Sequence, residues 1–137
     1  MVMWLGMVLC SGLGFSKDDR VENNRRIANV AKILNTNGII AIVASISPYR
    51  IGREIARDII GTDRFIEIHV ATPISVCEER DPKGLYKKVR SGEISNFTGI
   101  NDIYEPPTGS EMWIDTSLAA IDLDVDSIIS KLRKYGY

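Results

Sequence analysis

Residues 39–45 read IIAIVAS, an uninterrupted apolar run placed directly after a long amphipathic segment that closes on Asn37-Gly38. A run apolar at consecutive positions suits a strand buried on both faces of a parallel sheet, because helices then cover each side. RFIEIHVAT at 64–72 and MWIDTS at 112–117 read as two further strands, the first rich in β-branched residues and bounded by Gly61-Thr62-Asp63 and Pro73. Strands that alternate with helical segments imply an α/β fold with a mainly parallel sheet.

The helical segments carry their own punctuation. In FSKDDRVENNRRIANVAKILNTNG, Ser16 is a predicted N-cap with Asp19 three residues on, and Asn37-Gly38 is the stop. Val21, Ile27, Ala28, Ala31 and Leu34 share one face, and Asn24 is the single polar residue among them. SPYRIGREIARDII begins a second helix, with Ser47 able to cap it and Pro48 suited to its first position. PISVCEER reads as a short helix, and DVDSIISKLRKY as a terminal helix stopped by Gly136. Residues 81–109 are polar, contain Gly84, Gly92, Gly99, Pro106 and Pro107, and hold no sustained period, which predicts a loop-rich lid over a site.

One compact domain accommodates 137 residues of which 45% are hydrophobic and 26% charged. A net charge of −1 gives no cationic field for nucleic acid or anionic lipid, and the apolar runs are too short to span a bilayer, so neither nucleic acid nor membrane is an expected partner. Cys10 and Cys77 form no CxxC or Cys/His pattern, so a disulfide framework and structural zinc are not expected and a reducing cytoplasm is. The opening MVMWLGMVLC lacks the basic region of a secretory signal, since no Lys or Arg precedes Lys17.

Parallel sheets bind ligands beyond the carboxyl ends of their strands. Positions 44–50, 71–73 and 115–118 are therefore the candidate site, with Ser45, Ser47, Tyr49, Arg50 and Thr72 among them. Arg20, Asn23, Arg50 and Arg53, together with the donors of DPKGLYKKVR, suit phosphate or sulfate groups; each arginine alone reads more readily as a solvated helix face, and their shared place at the ligand edge favours the anion reading. Ser47 is either an N-cap or an anion ligand or nucleophile. Phe97, an aromatic in a glycine-flanked polar loop, is a candidate for stacking on a ring. His69, with no second metal-ligating residue beside it, reads as structural, Asp18 and Asp19 as dipole and cap groups, and Cys77 as a small buried hydrophobe.

LGFSKDDRVENNRRIA, SISPYRIGRE, FIEIHVATPISVCEERDPKGLYKKVRSGEISNFTGI, YEPP and IDTS run in order from Leu13 to Ser117. This set resembles the adenylylsulfate kinases, which transfer the γ-phosphate of ATP to the 3′-hydroxyl of adenosine 5′-phosphosulfate in sulfate activation. The resemblance implies a three-layer P-loop-kinase-like fold, a homodimer, ATP and Mg²⁺ as cofactors, and, in bifunctional relatives, a sulfurylase partner. It assigns substrate binding to Phe15, Arg20, Asn23, Ile46, Ser47, Lys83 and Phe97, with Lys83 in the lid and Phe97 closing over the adenine. Ser47 also matches a position described in the family as a phosphoserine intermediate, although direct in-line transfer needs only positioning and charge stabilisation.

The sequence departs from the family pattern in one respect. Its 137 residues contain no G-x-x-G-x-G-K-[ST] phosphate loop and no DGDxxR segment. The expectation is a family domain at 13–137 behind a non-family leader at 1–12, lacking the first strand and the ATP site and catalytically impaired. A family-like DGDVVRHG, written in codons and read one nucleotide later, gives Met-Val-Met-Trp-Leu-Gly-Met-Val, the sequence of residues 1–8. The leader is accordingly read as an out-of-frame remnant of that segment. The alternatives are a non-catalytic adenylylsulfate-binding module or a nonfunctional fragment; another P-loop small-molecule kinase fails to explain DPKGLYKK and NFTGI together.

Overall fold

A computed structural model describes residues 8–136, so the frame-shift reading of the first residues lies largely outside it. Helix α1 spans Lys17–Thr36. The Ser16 hydroxyl accepts the Asp19 N–H at 3.2 Å and donates to Asp19 Oδ2 at 2.6 Å, so the predicted cap forms from both sides. At the other end Gly38 turns left-handed at φ 74°, and the Ile39 and Gly38 amides return to the Leu34 and Asn35 carbonyls. That pair of bonds satisfies the last orphan carbonyls and ends the helix.

Helix α2 (Arg50–Ile60) packs against α1, forming the main interface between elements. The buried face of α1 consists of Asn24, Ala28 and Ala31, all small enough for close approach. Gly52 completes the fit, because a Cβ there would stand 2.7 Å from Asn24 Nδ2.

After a 3₁₀ turn at Thr62–Arg64, strand β1 (Ile68–Val70) pairs in parallel with β2 (Met112–Ile114), in the register Ile68 to Met112, His69 to Trp113 and Val70 to Ile114. Parallel pairing requires a crossover. Here it contains α3 (Ile74–Arg80) and α4 (Leu85–Arg90), and α5 (Ile121–Lys134) follows β2. The α/β class and the parallel sheet flanked by helices are as expected. Within the loop-rich 81–109 segment, however, residues 85–90 are helical, because the Asp81 carboxylate accepts the Tyr86 and Lys87 amides and starts a helix the sequence pattern did not signal.

The predicted strand at 39–45 does not form. The run is extended, but its backbone makes no hydrogen bond to another described backbone group from 40 to 46. Ile39, Ile40 and Val43 are about half exposed, and Ile42 is 82% exposed. The physical reason is pairing: β propensity describes fit to a neighbour, and a ladder needs a second strand about 4.8 Å away. Between this run and β1 lies a cavity of about 450 Å³. Ala41, Val43 and Ser45 line it from one side, at the period of two that a strand presents, and residues 64–70 line it from the other.

Two measurements test these contacts. Gly52→Ala gains about 1 kcal/mol of helix propensity but displaces the Asn24 amide, at a cost of about 1–3 kcal/mol. A lowered thermal midpoint is expected, restored toward the parent by adding Asn24→Ala. Glu22, bonded to Arg25 and Arg26, has its carboxyl pKa held down to about 2. Because the folded pKa is depressed, the stabilisation is present above the ordinary carboxylate range and is lost as pH falls from about 4.3 toward about 2. A carboxyl-carbon NMR titration of Glu22 checks this; an ordinary midpoint near 4.3 contradicts it.

Candidate functional site

Two adjoining cavities open at the carboxyl end of β1. The larger, about 640 Å³, is walled by Phe15, Arg20, Thr72, Tyr86, Phe97 and Tyr104, with Ile46 at its edge. The smaller, about 220 Å³, shares Phe15, Arg20 and Ile46 and adds Asn23, Asn24 and Ser47. Six of the seven sequence-predicted site residues therefore meet around one concavity. Lys83 does not: it is exposed on the turn that Gly84 closes onto the Asp81 carbonyl, and it lines neither cavity.

Arg20, one turn into α1, is already held by the protein. Its Nε donates to the Phe15 carbonyl at 3.0 Å and its Nη2 to the Asn96 carbonyl at 2.7 Å, while Asp102 Oδ2 stands 3.7 Å from Nε. The guanidinium also lies over the Phe15 ring, 5.7 Å from its centroid. Arg20 thus joins the start of α1 to the 96–102 loop.

That loop is tight. The Phe97 carbonyl accepts the amides of Ile100, Asn101 and Asp102, and the Phe97 amide donates to Asn101 Oδ1 at 2.6 Å. Asn96 sits at φ 57°, a region its short polar side chain tolerates. The Phe97 ring meets Tyr86 edge-on at 5.1 Å, leaving an aromatic corner in the larger cavity.

Ser47 does not cap α2. It adopts φ 42°, and its hydroxyl donates to Asn24 Oδ1 at 3.1 Å. The helix begins at Arg50, after Tyr49, so Pro48 also lies outside it. Glu105 supplies the missing cap: its carboxylate accepts the Arg50 amide at 2.7 Å, and its own amide donates to the Pro48 carbonyl at 2.8 Å. A left-handed Ser47 points its hydroxyl toward α1, which leaves the orphan amide to this distant carboxylate.

Arg53 is not a ligand cation either. It is buried, donates to the Ser47 and Glu105 carbonyls at 2.7 and 2.6 Å, and pairs with Glu67 at 2.9 Å. It faces inward because α2 presents this side to α1 and the sheet. Arg50 remains exposed. His69 stacks on Tyr104 at 5.8 Å, and burial, followed by the nearby Arg53 charge, pushes its pKa down, keeping it neutral at pH 7. Thr72 bonds Thr116 at 2.8 Å across the two strand ends, and Arg80 donates to the Thr116 hydroxyl. Cys77 is half-buried and lines the larger cavity.

Comparison with known proteins identifies the family. A family profile described as adenylylsulphate kinase matches residues 5–115. The chain belongs to the adenylylsulphate kinase family. An adenylyl-sulfate kinase of Pseudomonas aeruginosa is 56% identical over 129 residues, which cover 94% of this chain and 66% of that protein. One from Shewanella amazonensis is 49% identical, covering 94% of this chain and 65% of its own length. The chain thus spans just under two thirds of the length of these relatives. Among solved structures, the Mycobacterium tuberculosis APS kinase in complex with AMPPNP and APS superposes with a TM-score of 0.89 at 39% identity, covering 96% of this chain and 76% of that one.

Asn24, Tyr86, Asp102, Tyr104 and Glu105 were not singled out as site residues from the sequence. Asn24 alone left a signal, as the polar residue on an otherwise apolar helix face. The role of Glu105 is testable: Glu105→Ala removes the α2 cap and is expected to cost about 1–2 kcal/mol, read as a lower urea midpoint. Glu105→Gln, which retains an acceptor, is expected to recover part of that loss.

Proposed function

We propose that this chain forms the acceptor-binding half of an adenylylsulfate kinase and takes adenosine 5′-phosphosulfate in the two adjoining cavities. The observation that carries the reading is the convergence of Phe15, Arg20, Asn23, Ile46, Ser47 and Phe97, drawn from separate segments, on one concavity. The Phe97 and Tyr86 rings offer an apolar corner to a purine, while Asn23 and the Arg20 guanidinium offer donors to the anionic end. Lys83 is exposed and makes no ion pair with another described residue, so its ammonium is available to a phosphosulfate at the lid. The Ser47 hydroxyl is spent on Asn24, which favours Ser47 as a wall of the site over a covalent intermediate.

The family reaction moves a phosphoryl group from ATP to a 3′-hydroxyl by positioning and charge stabilisation. ATP and Mg²⁺ do not fit the residues described. The sequence holds no glycine-rich turn ending in Gly-Lys-Ser or Gly-Lys-Thr to cradle the ATP phosphates that would share the Mg²⁺. No transfer step is therefore assigned to this chain, and its own residues bind and orient the acceptor. A role in sulfate assimilation, a homodimer and a sulfurylase partner rest on the resemblance; the exposed run at 39–43 favours self-association. No helix among the described residues is long and apolar enough to cross a membrane.

Calorimetry with adenosine 5′-phosphosulfate and with ATP tests the proposal. Saturable binding of the first without the second is expected, together with no ATP-dependent 3′-phosphorylation. Binding of neither overturns the acceptor reading, and turnover at ordinary kinase rates overturns the impaired one.

A further inference from the structure

Asp102 lines neither cavity, yet three walls of the site meet at its carboxylate. Both Oδ atoms stand 3.1 Å from the Tyr49 hydroxyl, Oδ1 accepts the Ile103 amide at 2.8 Å, and Oδ2 faces Arg20 Nε at 3.7 Å. Its backbone closes the 97–102 loop, since its amide donates to the Phe97 carbonyl at 3.1 Å and its carbonyl accepts the Gly99 amide at 2.8 Å. One residue therefore binds α1 through Arg20, the entry to α2 through Tyr49, and the loop that carries Phe97.

We propose that Asp102 is a positioning residue of the sulfonucleotide pocket, holding Arg20 and the Phe97 loop in register so that cation and aromatic ring address one ligand. The proposal rests on the acceptor-binding reading above for its ligand, and on geometry alone for the coupling. Three features favour positioning over plain stability. The carboxylate is partly exposed, with 21% of its side-chain area accessible, so its removal leaves no large cavity. Its partners are Arg20, which lines both cavities, and the 7%-exposed Tyr49 at the entry to α2. Arg20 also holds the Asn96 carbonyl, so loop and guanidinium are fixed to each other by two routes, of which Asp102 is the charged one.

The charged groups around this contact keep it intact near neutral pH. Lys17 lies over the Tyr49 ring at 5.3 Å and Arg20 faces the carboxylate, while burial and the Asp102 bond raise the phenol pKa and keep its proton. Tyr49 therefore remains a donor near neutral pH.

The test uses the full chain with Asp102→Ala, Asp102→Asn and Tyr49→Phe, and reads two quantities. Amide hydrogen exchange at Ile100, Asn101 and Asp102 reports the loop without any ligand. Calorimetry with adenosine 5′-phosphosulfate reports the pocket. Asp102→Ala is expected to speed exchange at these amides, leave the α1 and α2 amides at parent rates, and weaken binding about tenfold, the size of one charge-assisted hydrogen bond. Asp102→Asn keeps an acceptor for Tyr49 and Ile103, and is expected to restore loop protection and most of the affinity. Tyr49→Phe, which removes one hydroxyl and does not threaten the fold, is expected to move both readouts in the same direction by a smaller factor. Parent-like exchange and affinity in Asp102→Ala, or in Tyr49→Phe where the alanine variant does not fold, overturn the proposal, as does faster exchange spread evenly over both helices. Altered loop exchange in a chain that binds no adenosine 5′-phosphosulfate supports the coupling and overturns only the acceptor reading.

Discussion

The close approach of α1 and α2 at Asn24 and Gly52 is the contact on which the rest of the structure depends. With no side chain at 52, the Asn24 amide lies against the α2 backbone, and its oxygen remains free to accept the Ser47 hydroxyl. A buried polar group must find such a partner or lose on the order of 1–3 kcal/mol. The Ser47 conformation, the start of α2 and the wall of the smaller cavity follow from that one satisfied amide. An alanine at 24 would keep the close approach of the helices and leave Ser47 unanchored.

A second constraint carries this geometry to the sheet. Arg53 and Arg57, both on α2, reach Glu67 just before β1, and Arg57 also pairs with Glu111 just before β2 at 2.7 Å. Glu111 in turn accepts the Glu67 amide at 2.7 Å. Partly buried pairs of this kind contribute little net stability once desolvation is counted, but removing one partner strands the others. Their effect here is registration: four charges fix α2 against the two strand entrances, and the carboxyl end of β1 emerges in the cavity wall that also holds Ile46 and Tyr104. Bonds from Arg53 to the Ser47 and Glu105 carbonyls extend the same frame to the site.

What was legible in the sequence was local. Helix α1 was readable to within a residue because Ser16, Asp19 and Gly38 act on neighbours no more than a few positions away. The short helix after Pro73 and the terminal helix were readable from local pattern as well, although neither has a side-chain cap and the terminal one begins at Ile121, three residues before the DVDS read as its start. Ser47 misled because a serine before a proline usually caps, and the carboxylate that does cap α2 lies 55 residues beyond the Arg50 amide it accepts. Arg53 misled because an arginine near a strand end resembles an anion ligand until its acidic partner at 67 is brought beside it. Arg20, Asn23, Ser47 and Phe97 were candidates from the residues themselves, whereas Phe15 and Ile46 entered only through the family resemblance; the same reading of charge near strand ends also grouped Arg50 and Arg53 with Arg20.

The apolar run at 39–45 shows the remaining limit most clearly. Its composition is that of a central strand, but a strand is a relation between two backbones, and β1 pairs with β2 along one edge while the slot of about 450 Å³ separates the run from it. The consequence reaches the site, because the run ends at Ile46 and Ser47. Ser47 is tied to Asn24 and Arg53, whereas Ile46 is 61% exposed and its backbone pairs with no other described backbone group. A ligand that uses Ile46 must therefore order it on binding, at an entropy cost of about 1–2 kcal/mol for each backbone residue fixed. The anchored wall, formed by Asn24, Ser47 and the Arg20–Asp102 contact, bears no such cost. On the acceptor-binding reading, the anchored wall therefore contributes to affinity without the ordering cost that Ile46 carries.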